Sequence, residues 1–147
     1  MEKVLISACL IGDNTKYDGK NNYTPEVEKL FSLCDLVIVC PEVMGGLSIP
    51  RQPSEIKNGK VVDRREKDVT RFFESGANLA LHIARENGVR YAVLKENSPS
   101  CGHRKVYDGT FSSRLIEGKG IAASLLEKNG IRIFSEREID ELIPLLK

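Results

Sequence analysis

Residues 4–12 read VLISACLIG, residues 36–42 read LVIVCPE, and residues 91–102 read YAVLKENSPSCG. Each stretch begins with a short apolar run and then passes into a cysteine flanked by small residues, prolines or polar side chains. A continuous apolar run without polar alternation predicts a strand covered on both faces, the pattern of parallel sheets. Ile131–Phe134 is predicted as a fourth strand.

Helical patterns separate the runs. Thr24-Pro25-Glu26 reads as a helix start, with Thr24 as N-cap and Pro25 at the first helical position. Val27, Leu30 and Phe31 then share one face. Residues 66–87 place Val69, Phe72, Phe73, Ala77, Ala80, Leu81 and Ala84 on one stripe. Further helices are predicted at 120–128, closed by Asn129-Gly130, and at 136–145. The segment CPEVMGGLSIPRQP (40–53) carries prolines and glycines that predict a non-helical connection. Asn58-Gly59 predicts a type I′ hairpin within Ile56–Val62, and Asp108-Gly109 marks a shorter hairpin-like excursion over Tyr107–Phe111. Strands alternating with helices imply a parallel sheet with right-handed crossovers. The expectation is a single α/β domain over residues 1–147. It has a mostly parallel, Rossmann-like or flavodoxin-like sheet with helices on both faces and small β-hairpin excursions.

The totals narrow the function. A net charge of +1 supplies no basic patch for nucleic acid or for an acidic membrane surface. No run approaches the ~18 apolar residues of a membrane span. Met-Glu-Lys followed directly by a strand has no signal-peptide anatomy, so a cytoplasmic location is expected. In that reducing compartment four cysteines read as ligands, nucleophiles or core residues rather than disulfides.

Cys9, Cys40 and Cys101 all follow the C-terminal ends of predicted strands, the edge along which open α/β sheets bind ligands. Neighbouring strands lie roughly 4.8 Å apart, so three sulfurs distant in sequence are expected to meet in one crevice. Three soft ligands and no evident fourth suggest a metal centre with one position open. Cys34, between a helix and a strand with no glycine or proline beside it, is expected to be a packing residue. Alternatives stay open at this stage. Zinc prefers paired C-x₂₋₄-C knuckles, and none is present. A disulfide is possible in oxidised protein, and a cysteine nucleophile would want a histidine. The two histidines are His82, within the long helix, and His103, two residues after Cys101.

The phrases SACLIG (7–12), KYDG (16–19), CPEVMGGLSIPRQP (40–53), KENSPSCG (95–102) and GKGIAASLLEKNGI (118–131) occur in this order along almost the whole chain. Together they resemble a bacterial family, long labelled a domain of unknown function, whose characterised members are thiouracil desulfidases. The resemblance implies a [4Fe-4S] cluster held by Cys9, Cys40 and Cys101, with the fourth iron free to take the sulfur of a small thiolated substrate. It maps the catalytic carboxylate to Glu42 and the assisting serine to Ser98, with Ser100 as the alternative. Lys16 stands where relatives often carry arginine. The implied reaction replaces thiocarbonyl sulfur with water oxygen and releases hydrogen sulfide. Asp13, Lys16, Tyr17, Arg51, Gly45 and Gly46 are candidates for contact with the substrate. In air the cluster is expected to give way to free thiols, a disulfide or zinc. Competing readings are an iron–sulfur sensor, a small-nucleotide binding module, or a desulfidase for another thiolated metabolite.

Overall fold

A computed structural model describes residues 1–147. Four parallel strands form the central sheet: β1 (Lys3–Ser7), β2 (Asp35–Val39), β5 (Tyr91–Leu94) and β8 (Arg132–Ser135), in the order β2-β1-β5-β8. The hairpin predicted at Asn58-Gly59 is β3 (Ser54–Lys57) with β4 (Lys60–Asp63); the second, β6 (Lys105–Tyr107) with β7 (Leu115–Glu117), closes over residues 108–114 and not within Tyr107–Phe111 as expected. Asn58 and Gly59 both have positive φ, 50° and 76°, as a type I′ turn requires. The helices are α1 (Pro41–Met44), α2 (Thr70–Glu86), α3 (Ile121–Lys128) and α4 (Ile139–Leu146).

Side chains alternate across β1 and divide the core in two. Leu5 packs with Leu81 and Ala84 of α2 and with Ala123 and Leu126 of α3. Val4 and Ile6 point the other way, onto Val27, Leu30, Ile139 and Leu142. Helical segments therefore cover both faces, as the sequence pattern demands. No helix is long and apolar enough to cross a membrane.

Five local expectations need correction. Residues 25–30 form a 3₁₀ helix, not an α-helix, and Phe31 is 57% exposed. Thr24 does not cap it, because its hydroxyl donates to the Asn22 carbonyl instead. β2 lies at the edge of the sheet, leaving Ile38 48% exposed, since an apolar run cannot say whether a strand has one neighbour or two. Residues 41–44 make one helical turn, which Pro41 permits because the first helical position needs no N–H. Finally, α2 starts at Thr70, with Asp68 accepting from the Thr70 N–H.

β1 is flanked by β2 on one side and β5 on the other, so the connections leaving their C-terminal ends diverge. That divergence opens a crevice at the strand ends.

Candidate active site

A cleft of about 460 Å³ occupies this crevice. Cys9, in the 3₁₀ turn after β1, Cys40, between β2 and α1, and Cys101, in the loop after β5, all line it. Cys34 does not. Its thiol is buried on the α4 side of the sheet, against the Leu30 carbonyl at 3.5 Å.

The three lining cysteines come from three separate connections at one end of the sheet. They are nonetheless near enough to interact. Burial pushes the Cys9 thiol up, the Asn22 hydrogen bond opposes it, and the neighbouring Cys40 adds to the rise. Burial likewise raises Cys101 to about 12, with Cys9 and Glu42 contributing in the same direction. Three sulfurs lining one cleft are a donor set suited to an iron–sulfur cluster. The raised Cys9 and Cys101 thiols count against either as a nucleophile, which needs a lowered pKa and a base. His103 sits with Nδ1 3.7 Å from Glu127, and His82 is exposed on α2 beside Glu86, so neither serves a cleft cysteine.

Glu42 projects into the cleft from α1 and is held at both oxygens. Arg51 Nε lies 3.2 Å from Oε1, and the Ser100 hydroxyl donates to Oε2 over 3.0 Å. The rest of the Arg51 guanidinium is also occupied, donating to the carbonyls of Ser48 and Thr15. Although Arg51 lines the cleft, it therefore clamps the carboxylate and does not reach outward. Ser98 Oγ accepts from the N–H groups of Ser100 and Cys101, each at 3.1 Å, and lies 2.9 Å from Ser100 Oγ. Of the two serines, Ser100 is the one that touches Glu42, with Ser98 behind it.

Lys16 and Tyr17 line the mouth of the cleft. Asp13 is exposed and lies outside it. Gly45 and Gly46 are also outside, and Gly45 makes its close approach to a helix instead of a substrate. A Cβ on Gly45 would fall 1.9 Å from the Phe72 carbonyl oxygen of α2. Gly76 of α2 reciprocates, because a Cβ there would fall 1.8 Å from the Pro41 oxygen. The turn carrying Glu42 thus rests on α2 backbone to backbone.

Three residues of the site went unpredicted. The Asn22 side-chain amide donates to Cys9 Sγ over 3.4 Å, from the polar stretch that follows KYDG. Lys95 is tied to Glu136 at 3.0 Å. Glu96 is buried to 4% exposure directly after β5, and a charge there signals a partnered carboxylate.

Residues 4–138 match the 2-thiouracil desulfurase family, and the chain belongs to it. The chain is 38% identical to the uncharacterized protein YbbK of Bacillus subtilis (strain 168), over 95% of this chain and 99% of that one. A solved structure of the [4Fe-4S]-dependent thiouracil desulfidase TudS superposes with a TM-score of 0.92 at 39% identity, covering 99% of this chain and 97% of that chain. An enzyme family does not favour the sensor or binding-module alternatives.

Proposed function

We propose that this member of the 2-thiouracil desulfurase family, working as a single α/β domain, exchanges the thiocarbonyl sulfur of a thiolated pyrimidine for an oxygen of water. Water and the thiocarbonyl compound give the carbonyl compound and hydrogen sulfide, with no net oxidation or reduction. The observation that carries the reading is the convergence of Cys9, Cys40 and Cys101 on the cleft into which Glu42 projects. The 39% identity to TudS over nearly the full chain supports the cofactor as a [4Fe-4S] cluster held by those three cysteines. When bound, such a cluster supplies an iron without a protein ligand, a Lewis acid suited to a soft thiocarbonyl sulfur.

The chain's own residues handle the protons. Glu42 is the general base, taking a proton from water as its oxygen bonds to the thiocarbonyl carbon and returning it as the carbon–sulfur bond breaks. Arg51 and Ser100 fix the carboxylate so that one rotamer faces the cleft. Ser98 and Ser100 form a short hydroxyl chain ending on Glu42, a route along which that proton is shared. Lys16 and Tyr17 meet the outer part of the substrate. A reducing cytoplasm would keep the three thiols available for the cluster.

The test is anaerobic reconstitution with iron and sulfide, followed by iron and acid-labile sulfide analysis. The loaded protein is then incubated with 2-thiouracil or 4-thiouracil without any electron donor. Uracil and sulfide should appear in equal amounts. A strict need for a reductant, or no sulfide from any thiolated pyrimidine, would overturn the reading.

A further inference from the structure

A carboxylate that folding takes out of water must find donors to replace its hydration. Glu96 finds them all in one loop. Its Oε1 accepts from the N–H groups of His103 at 2.8 Å, Arg104 at 3.0 Å, Asn97 at 3.2 Å and Lys105 at 3.3 Å. Asn97 enters the loop that carries Cys101, and residues 103–105 leave it, so one oxygen ties the two ends together. The backbone of Glu96 is also anchored, since its N–H donates to Glu136 at 2.8 Å.

The opposite side of the loop is gripped by α3. That helix has no side-chain N-cap, and carbonyls of the Cys101 loop take its first N–H groups. Ile121 donates to Pro99 at 2.9 Å, and Ala122 and Ala123 donate to Ser100 at 2.9 and 3.0 Å. Gly120, just before the helix, donates to Gly102 at 2.7 Å. The preceding glycine is required, because a Cβ on Gly120 would lie 2.4 Å from the Ser100 carbonyl carbon. The loop's donors are thus held on one side and its acceptors on the other.

We infer that Glu96 is a positioning residue, holding the loop that presents Cys101 and Ser100 in its working shape before any cluster is bound. The inference rests on the proposed cluster site but adds to it a residue outside the ligand set. Outer partners that orient a metal's ligands typically change metal affinity by about 10–100-fold when removed.

Two measurements test this with Glu96→Ala and Glu96→Gln, the latter keeping a carbonyl acceptor. In cluster-free protein, Glu96→Ala should speed amide hydrogen exchange at 97–105 while leaving β1 and α2 protected. In reconstituted protein, a ferrous chelator should strip iron about tenfold or more faster from Glu96→Ala than from wild type, with Glu96→Gln between them. If Glu96→Ala does not fold, the Glu96→Gln comparison carries both measurements. Wild-type exchange at 97–105 together with wild-type iron release in the variants would overturn the inference. A wild-type protein that takes up no cluster would defeat the proposed function instead, and the exchange data would still judge Glu96.

Discussion

The Ser100 hydroxyl donates to Glu42 Oε2 across 3.0 Å, joining the loop after β5 to the helical turn after β2. With Arg51 on Oε1, the carboxylate has a fixed partner at each oxygen, an arrangement suited to a base that must present one orbital to water. Glu42→Gln preserves the shape and removes the basicity. It should load its cluster as wild type does and lose roughly 10²–10⁴-fold in sulfide release from 2-thiouracil. Unchanged turnover would remove Glu42 from the mechanism.

The two serines should separate by stability. Ser98 Oγ accepts from two backbone N–H groups, and leaving buried donors unpaired costs about 1–3 kcal/mol. Ser98→Ala should therefore lower the unfolding free energy obtained from urea titration by that amount, as well as slow turnover. Ser100→Ala should slow turnover with a smaller loss of stability, because its main partner is a carboxylate that Arg51 still holds. Equal stability losses with normal turnover in both would reduce the pair to a structural turn.

Cysteine substitution separates ligand from packing. Cys9→Ser, Cys40→Ser and Cys101→Ser should each fail to retain a full [4Fe-4S] complement by iron and sulfide analysis. Cys34→Ser should retain it, because its thiol is buried against the Leu30 carbonyl, before β2 begins, and does not line the cleft. Loss of iron from Cys34→Ser alone would reverse the assignment.

The strand runs were legible because a sheet buried on both faces needs uninterrupted apolar residues, and the shared placement of three cysteines followed from parallel topology. The edge position of β2 was not legible, since Leu36–Val39 has the same character whether one neighbour covers it or two. The single turn at Pro41–Met44 was hidden behind a proline and two glycines that also describe a loop. Its reason emerges only in three dimensions, where Gly45 and Gly76 let two backbones touch. Asn22 and Glu96 were equally obscure, because each acts through a partner distant in space or through main-chain N–H groups that carry no sequence signature.

The contact between α1 and α2 yields a sharp prediction. Gly76→Ala would ordinarily favour an α-helix by about 1 kcal/mol, but its methyl group would meet the Pro41 oxygen at 1.8 Å. Overpacking against backbone costs about 1–3 kcal/mol or more and outweighs the propensity gain. Thermal unfolding should show net destabilisation, and turnover per bound cluster should fall as the Glu42 turn is displaced. A stabilised, fully active Gly76→Ala would show that α1 yields freely.

Acid stability should depend on Glu138, just before α4. Burial alone would raise its pKa, but the Arg104 guanidinium and the Ser135 N–H outweigh that and bring it down to about 2. Between the ordinary value of 4.5 and about 2, the folded protein keeps this carboxylate charged while the unfolded chain binds a proton. The contribution is therefore complete above about pH 4.5 and fades as pH falls toward 2, because stability rises with pH wherever the unfolded state holds more protons. Arg104 is 66% exposed in its side chain, so salt should screen part of the effect. Urea titrations of wild type and Glu138→Gln should differ most near neutrality and converge at low pH, with a smaller gap in 1 M salt, on the order of a 3 Å screening length. A gap that stayed constant from pH 7 to pH 2 would show that Glu138 acts through packing and not through its charge.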